Sequence, residues 1–298
     1  MNSSLLLHAR FVIVAFFLFA AALASGADNT LTAGQVVERI RKEAGVPWRT
    51  KTVDTFKAGD PDTPVKSIAC VMMATQDVLQ RCVDAGANFV ITHEPTFFSG
   101  EDDTAQLEKE KDPVYMAKQA FIKQHDLVIW RFHDHQHAIH GDQVTNGFTQ
   151  VLGWGKYRTS APGRARFVIP ETTLADLAED IRQKLDIRTL RFVGDPKLKV
   201  TKAGFSLGAG GFNAHRQQLQ SDDVEVLLIG EGTEWEGVEY VADAVTQGKK
   251  KAMILIGHIP SEEAGMIECA AWLKTFVPEV PIQFVRTPEF FALPSGAK

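Results

Sequence analysis

Three apolar runs in this chain each end on a histidine. Residues 88–92 (Asn-Phe-Val-Ile-Thr) lead into His93-Glu94-Pro95, residues 126–132 into His133-Asp134-His135-Gln136-His137, and residues 253–257 into His258, with Glu262 beyond. Imidazole nitrogens and carboxylate oxygens without thiolate form a donor set that suits Zn, Fe, Mn, Co or Ni, and the sequence does not select among them. Taken singly, each histidine reads more readily as a partly buried side chain satisfied by a backbone group. Taken together they resist that reading, because six of the nine histidines lie in or beside these motifs. In an open α/β sheet the ligand crevice lies at the carboxyl ends of the strands, where segments far apart in sequence converge. These residues therefore predict a metal site in a cleft at strand carboxyl ends.

Local patterning sharpens the expectation. Pro260 suits the first position of a helix, which would put His258 just before the helix and Glu262 in its first turn, where the helix dipole favours a carboxylate. In an extended chain, alternation would aim His133, His135 and His137 to one side and Asp134 to the other. The stretch His93-Glu94-Pro95-Thr96-Phe97 is not a zincin motif, because Pro95 breaks the required helix and Phe97 stands where the second histidine belongs. The loop Gly208-Ala209-Gly210-Gly211, with Glu231 about 20 residues on, invites comparison with a dinucleotide fingerprint. Asn213 replaces the third glycine, so a tight structural turn is the better reading. No Gly-x-Ser-x-Gly elbow is present to support a serine hydrolase.

The elements that must position these residues read as alternating strands and helices. Strands are predicted over 65–73, 88–92 and 126–132, with helices over 76–86, 113–125 and near 144–152. After a glycine-containing linker over 153–164, strands are predicted over 165–169, 190–194, 200–207, 224–230, 251–257 and 281–285, with helices over 173–185 and from about 212. The order predicts an α/β protein of two lobes with mixed sheets. The first lobe would span 28–153 and the second 165–298, the last strand returning towards the first lobe.

Residues 1–27 read as a secretory signal peptide: Met1 to Arg10 is basic, Phe11 to Leu23 is continuously apolar, and small residues follow at Ala24 to Ala27. The apolar run is short for a bilayer-spanning helix, so an exported protein, periplasmic or secreted, with no membrane segment after cleavage is expected. The formal net charge of −5, without an extended basic run, gives no electrostatic reason to expect nucleic acid. Cys70, Cys82 and Cys269 have no CxxC spacing and receive no role.

The motifs carry a resemblance. Residues 65–98, ending in Ile91-Thr92-His93-Glu94-Pro95-Thr96-Phe97-Phe98, resemble the Nif-three-like family of dinuclear-metal proteins, whose hallmark at this point is Thr-His-His-Pro. Phe132 to His137 is similar to that family's His-Thr-Asn-x-Asp motif, and Gly257-His258-Ile259-Pro260-Ser261-Glu262 to its Gly-His-x-x-Ser-Glu motif. Ile229-Gly230-Glu231 resembles its Thr-Gly-Asp/Glu strand end, and Leu207 to Gly211 its glycine loop. The resemblance implies two α/β lobes around a pair of divalent transition-metal ions, and a ring-shaped homo-hexamer. The matching ligand positions are His93, Glu94, His137, His258 and Glu262, with His133 adjacent. Two depart from the pattern: Glu94 stands for the second histidine of His-His, and His137 for an aspartate. The two changes compensate, leaving three histidines and two carboxylates in the five-ligand set.

The chemistry this predicts is metal-assisted hydrolysis of a small molecule, a phosphoester, amide or cyclic amide, by a water shared between two ions. Glu231 and Asp134 are the candidate catalytic groups, as base or as orienting partners of ligand histidines. The alternative is a non-catalytic metal-binding or scaffold protein. Some relatives carry a GTP-cyclohydrolase label, yet an exported protein would seldom meet GTP.

Overall fold

The apolar runs that end on histidines are central strands of two separate five-stranded sheets. A computed structural model describes residues 31–160 and 165–294; the predicted signal peptide and part of the predicted linker, 161–164, lie outside the described residues. The first half runs α1 (Ala33–Glu43), β1 (Phe56–Ala58), β2 (Ile68–Val71), α2 (Gln76–Asp84), β3 (Phe89–Thr92), α3 (Ala105–Glu110), α4 (Pro113–Gln124), β4 (Val128–Arg131) and α5 (Gln143–Val151). The second runs β5 (Arg166–Thr173), α6 (Leu174–Lys184), β6 (Arg191–Val193), β7 (Lys199–Ser206), α7 (Gly211–Leu219), β8 (Val226–Ile229), α8 (Glu239–Thr246), β9 (Ala252–Leu255), α9 (His258–Leu273) and β10 (Ile282–Phe284).

The sheet orders are β1-β4-β3-β2-β10 and β5-β7-β8-β9-β6. In the first, β10, β2, β3 and β4 are parallel and β1 is antiparallel; in the second, β7, β8 and β9 are parallel between antiparallel β5 and β6. Every residue of β2, β3, β4, β8 and β9 is buried, as expected of parallel strands covered on both faces. This is the expected α/β architecture with two mixed sheets. Strands β1 and β6 and helices α3 and α8 are short or polar, which is why periodicity singles out none but β6.

Helix starts follow local chemistry. Thr32 caps α1 in a reciprocal capping box with Gln35, and the side chains of Thr75, Asp112 and Asp142 accept N–H bonds at the starts of α2, α4 and α5. Helix α9 begins two residues earlier than Pro260 predicts: Gly257 is its N-cap and His258 its first residue. Proline is tolerated there because the N–H groups of a first helical turn lack intrahelical partners. His258 and Glu262 consequently share one helix face, one turn apart.

The lobes exchange helices. α5 follows a strand of the first sheet, yet its Phe148 packs in the second lobe's core with Trp154, Phe167 and Phe205. α9 follows a strand of the second sheet, yet its Met266, Cys269, Ala270 and Leu273 pack in the core of the first. The two helices meet where neither has a side chain. A Cβ on Gly147 would stand 2.5 Å from the carbonyl oxygen of Ala264, and one on Gly265 would stand 2.8 Å from the Cα of Val144.

Such contacts cannot relax without moving a backbone. Gly147→Ala is expected to lower unfolding stability by about 1–3 kcal/mol, the usual range for overpacking. Urea denaturation checks this, and a change within about 0.5 kcal/mol, typical of an ordinary surface site, would show that the helices do not touch as described.

Candidate metal centre

His93 is the first residue after β3, and its N–H donates to Val71 O on the neighbouring strand. Glu94 follows, its N–H donating to Met72 O, so sheet hydrogen bonding continues one residue past β2 and two past β3 and fixes the backbone of both residues. Arg131, at the end of β4, donates Nε to His93 O at 3.1 Å and reaches Glu94 Oε2 with Nη2 at 3.4 Å. His258 and Glu262 arrive from the second sheet on α9. The carboxyl ends of the two sheets therefore face one another across the site.

The stretch 133–137 is a turn rather than an extended chain, which corrects the alternation reading. His137 N–H donates to His133 O at 3.1 Å, bringing those two imidazoles together and turning His135 away. Buried Asp54 holds the turn: its carboxylate accepts from the N–H groups of His133, Asp134 and His135 at 2.7, 2.9 and 2.9 Å. His135 is fully used elsewhere, with Nδ1 on Asp54 at 2.6 Å, Nε2 accepting from Arg49 N–H at 2.9 Å, and its ring stacked on Trp48 at 3.6 Å.

The other four histidines of the three motifs follow one rule. Each has Nδ1 tied to an oxygen: His93 to Gln136 Oε1 at 2.7 Å, His133 to Asp134 Oδ1 at 3.1 Å, His137 to Asp142 Oδ1 at 3.1 Å and His258 to Glu231 Oε1 at 2.7 Å. For His93 this sets the tautomer. The Gln136 amide nitrogen donates to Gln143 Oε1 and Gly265 O, so its oxygen must face His93 and accept the Nδ1 proton. In the neutral ring this leaves Nε2 as the acceptor, and it points into the site.

Around that nitrogen the donor atoms converge. Those of His93, His133 and His137 lie within 4.8 Å of one another, and so do those of His93, Glu94 and Glu262. His258 Nε2 is 3.0 Å from Glu94 Oε1 and 3.2 Å from Glu262 Oε2. The structure thus brings together His93, Glu94, His133, His137, His258 and Glu262, and sets Glu231 and Asp134 behind two of the imidazoles. Asp54, Gln136, Asp142 and Arg131 are the supporting residues that the motifs do not single out. Gln136 and Asp142 adjoin the histidine-rich stretch, whereas nothing near Asp54 marks it.

His93 Nε2 and Glu262 Oε2 are both buried and make no well-formed hydrogen bond although they are only 3.5 Å apart, and the nearest cationic group to that oxygen is His258 Nε2 at 3.2 Å. Two facing lone pairs buried together are costly unless something positive lies between them. A divalent cation fits that demand. The glycine loop completes the cradle, since a Cβ on Gly208 would stand within 2.7 Å of the Glu262 carboxyl carbon.

The charges point the same way. Burial alone would raise Glu94 and Glu262, yet hydrogen bonds and charge from the surrounding histidines hold both below the usual carboxylate range. Burial opposes a charge on His258, but its pairing with the Glu262 and Glu94 carboxylates pushes it up to about 11. His133 is lowered by burial and by the neighbouring imidazoles, while His137 is raised, against its burial, by Asp142. The site opens on two sides. A cavity of about 1340 Å³ reaches Glu94, His258 and Glu231, and a smaller, more polar one of about 410 Å³ reaches His137 and Glu262.

A two-lobed α/β protein with a buried His/Glu cluster between its sheets is the class this geometry defines. Residues 53–289 match the profile of the Duf34/NIF3 (NGG1p interacting factor 3) family, and the chain belongs to it. It is 21% identical over 226 residues to the GTP cyclohydrolase 1 type 2 homolog of Clostridium perfringens, covering 72% of this chain and 80% of that one. The fold is similar to the crystal structure of Staphylococcus aureus hypothetical protein SA1388, with TM-score 0.69 and 18% identity over 89% of this chain and 100% of that one. It is also similar to a Bacillus cereus protein related to NIF3, with TM-score 0.67 and 14% identity over 89% and 99% of the two chains.

The dependence on Asp54 can be measured. Asp54→Ala removes the acceptor of three backbone N–H groups and of His135, and is expected to cost about 3 kcal/mol of stability, since each buried donor left unpaired costs about 1–3 kcal/mol. Thermal and urea unfolding check this. A variant as stable as wild type would mean that the turn is held by something else.

Proposed function

We propose that this chain is an exported dinuclear metal protein in which His93, Glu94, His133, His137, His258 and Glu262 hold two divalent transition-metal ions, and that it is a hydrolase of a phosphoester or of an amide or cyclic amide. The observation that carries this reading is the buried pair His93 Nε2 and Glu262 Oε2, facing each other without a hydrogen bond, at a cluster of four imidazoles, His93 included, whose Nδ1 atoms are all engaged. When bound, the ions would activate a shared water at neutral pH and polarise the oxygen of the bond to be cleaved.

The chain's own residues have distinct parts in this proposal. Gln136, Asp134, Asp142 and Glu231 fix the tautomers of His93, His133, His137 and His258, leaving Nε2 for a ligand. Glu231 is also 57% exposed at the mouth of the larger cavity, where it can exchange protons with solvent. Open space on both sides of the cluster supports a catalytic role over a purely structural one, because a structural metal site is normally closed by protein ligands. Export, with cleavage between Ala24 and Ala27, and assembly into a homo-hexamer belong to the same reading; intact-mass analysis and light scattering check them.

Elemental analysis is the decisive experiment. Wild type should carry close to two transition-metal ions per subunit, and His258→Ala should lose metal. Glu94→Ala and His137→Ala should each lose metal as well, because both are taken here as ligands that have exchanged chemical type. If both can be removed with full retention while His258→Ala loses metal, the exchange is decay rather than compensation. Glu231→Gln should keep the fold and weaken metal binding by about 10- to 100-fold, the usual effect of losing a partner that orients a ligand; an unchanged affinity would remove Glu231 from that role. Gly208→Ala should act through Glu262, lowering metal content with His93 untouched.

A further inference from the structure

The larger cavity extends well beyond the cluster, and its far walls have a different character. Past Glu94, His258 and Glu231 it runs along Met73, Phe98, Val114, Ala117, Phe121 and Phe290. Val114 and Ala117 are exposed on α4 beside its buried Tyr115, Lys118 and Ile122, so the helix turns an apolar edge outward here. Val114 is 64% exposed, Phe98 62% and Phe290 57%. Large apolar side chains that stay exposed together beside a polar site mark a binding surface rather than ordinary surface scatter.

Two of these side chains are held in place. Phe98 has φ +56°, a left-handed conformation that a bulky residue rarely adopts, and its ring lies 5.3 Å from Lys118 Nζ. Phe290 follows Glu289, whose carboxylate accepts from the N–H groups of Arg188 and Thr189 at 2.8 and 3.0 Å, fastening the tail to the second lobe. Among the described residues Lys118 is the single lysine or arginine on the cavity wall, and its ammonium donates to Thr96 O. The wall otherwise carries the carboxylates of Glu94 and Glu231. Away from the cluster and its His258, a polyanionic ligand body would meet that one hydrogen-bonded ammonium and no second cation among the described residues.

We propose that this cavity takes the apolar body of an amphiphilic small molecule whose single polar head reaches the His/Glu cluster: an aryl- or alkyl-substituted phosphoester or amide, and not a nucleoside triphosphate. The proposal rests on the metal-hydrolase reading and specifies its substrate class. The charge of the wall matches an uncharged tail, and the continuity of the cavity with Glu94 and His258 places the head at the cluster.

The test uses the metal-loaded protein with methylphosphonate, butylphosphonate and 4-phenylbutylphosphonate, titrated by calorimetry, and with GTP beside inorganic triphosphate. Each methylene buried is worth about a fourfold gain in affinity, so the phenylbutyl compound should bind at least about 100-fold tighter than methylphosphonate. Ala117→Glu, an exposed helical position, should weaken the phenylbutyl compound at least tenfold while leaving metal content and methylphosphonate affinity unchanged. GTP should bind no tighter than inorganic triphosphate. Affinity independent of chain length, or insensitivity to Ala117→Glu, overturns the proposal, as does a gain from the nucleoside of GTP. A change of oligomeric state in Ala117→Glu without a change in ligand affinity also overturns it and identifies the wall as a contact between copies of the chain. Absence of metal in wild type with chain-length dependence and Ala117→Glu sensitivity preserved would defeat the metal reading alone.

Discussion

The site exists because α5 and α9 cross at two glycines. Each helix leaves one sheet and packs into the core of the other, so the crossing is the point at which the two lobes are joined. The same crossing sets the geometry of the cluster. Asp142, the N-cap of α5, orients His137, while α9 begins with His258 and carries Glu262 one turn later. Gly265 O, at the contact itself, accepts from the Gln136 amide that in turn fixes the tautomer of His93. Interiors are too closely packed to absorb a misplaced backbone, so a shift at the glycines is transmitted to three of the four imidazoles.

Electrostatics explains why such a rigid frame is needed. Glu94 and Glu262 face one space within the protein interior, and buried like charges coexist only when positive groups lie close to both. Among the protein's own groups His258 answers that demand, sitting 3.0 and 3.2 Å from the two carboxylates. Its Nδ1 is held by Glu231, so the ring cannot turn away. His93 is held differently: its Nδ1 is engaged by Gln136 Oε1, and its Nε2 stands 3.5 Å from Glu262 Oε2 without a formed hydrogen bond. An arrangement that keeps one lone pair beside a carboxylate is expensive for a fold and useful for a metal site.

Much of this was legible in the residues. Continuous apolar runs of strand length gave the central parallel strands, and histidines at their ends gave the site, because both signals are local. The crossing could not be read in the same way: Gly147 and Gly265 each look like an unremarkable helical glycine, and only their meeting gives them meaning. The turn at 133–137 escapes the alternation pattern for a related reason. It is held by Asp54, some eighty residues upstream, and a long-range cap leaves no periodicity in the segment it holds. Pro260 misled about the start of α9 because proline is acceptable anywhere in a first turn, not at its first position alone.

The exchanged pair, Glu94 and His137, is best judged by what surrounds it. A carboxylate placed where an imidazole is expected brings a second oxygen that faces away from the cluster and needs a partner of its own. Here Arg131 supplies it, with Nη2 3.4 Å from Glu94 Oε2, while Oε1 remains turned to His258. An imidazole placed where a carboxylate is expected brings a second nitrogen instead. Asp142 engages it at 3.1 Å, using the oxygen that also caps α5. Each exchanged side chain therefore carries a local partner of opposite charge on the side away from the site, and presents its remaining donor atom inward. Both halves of that arrangement support the proposed exchange of ligand type over decay.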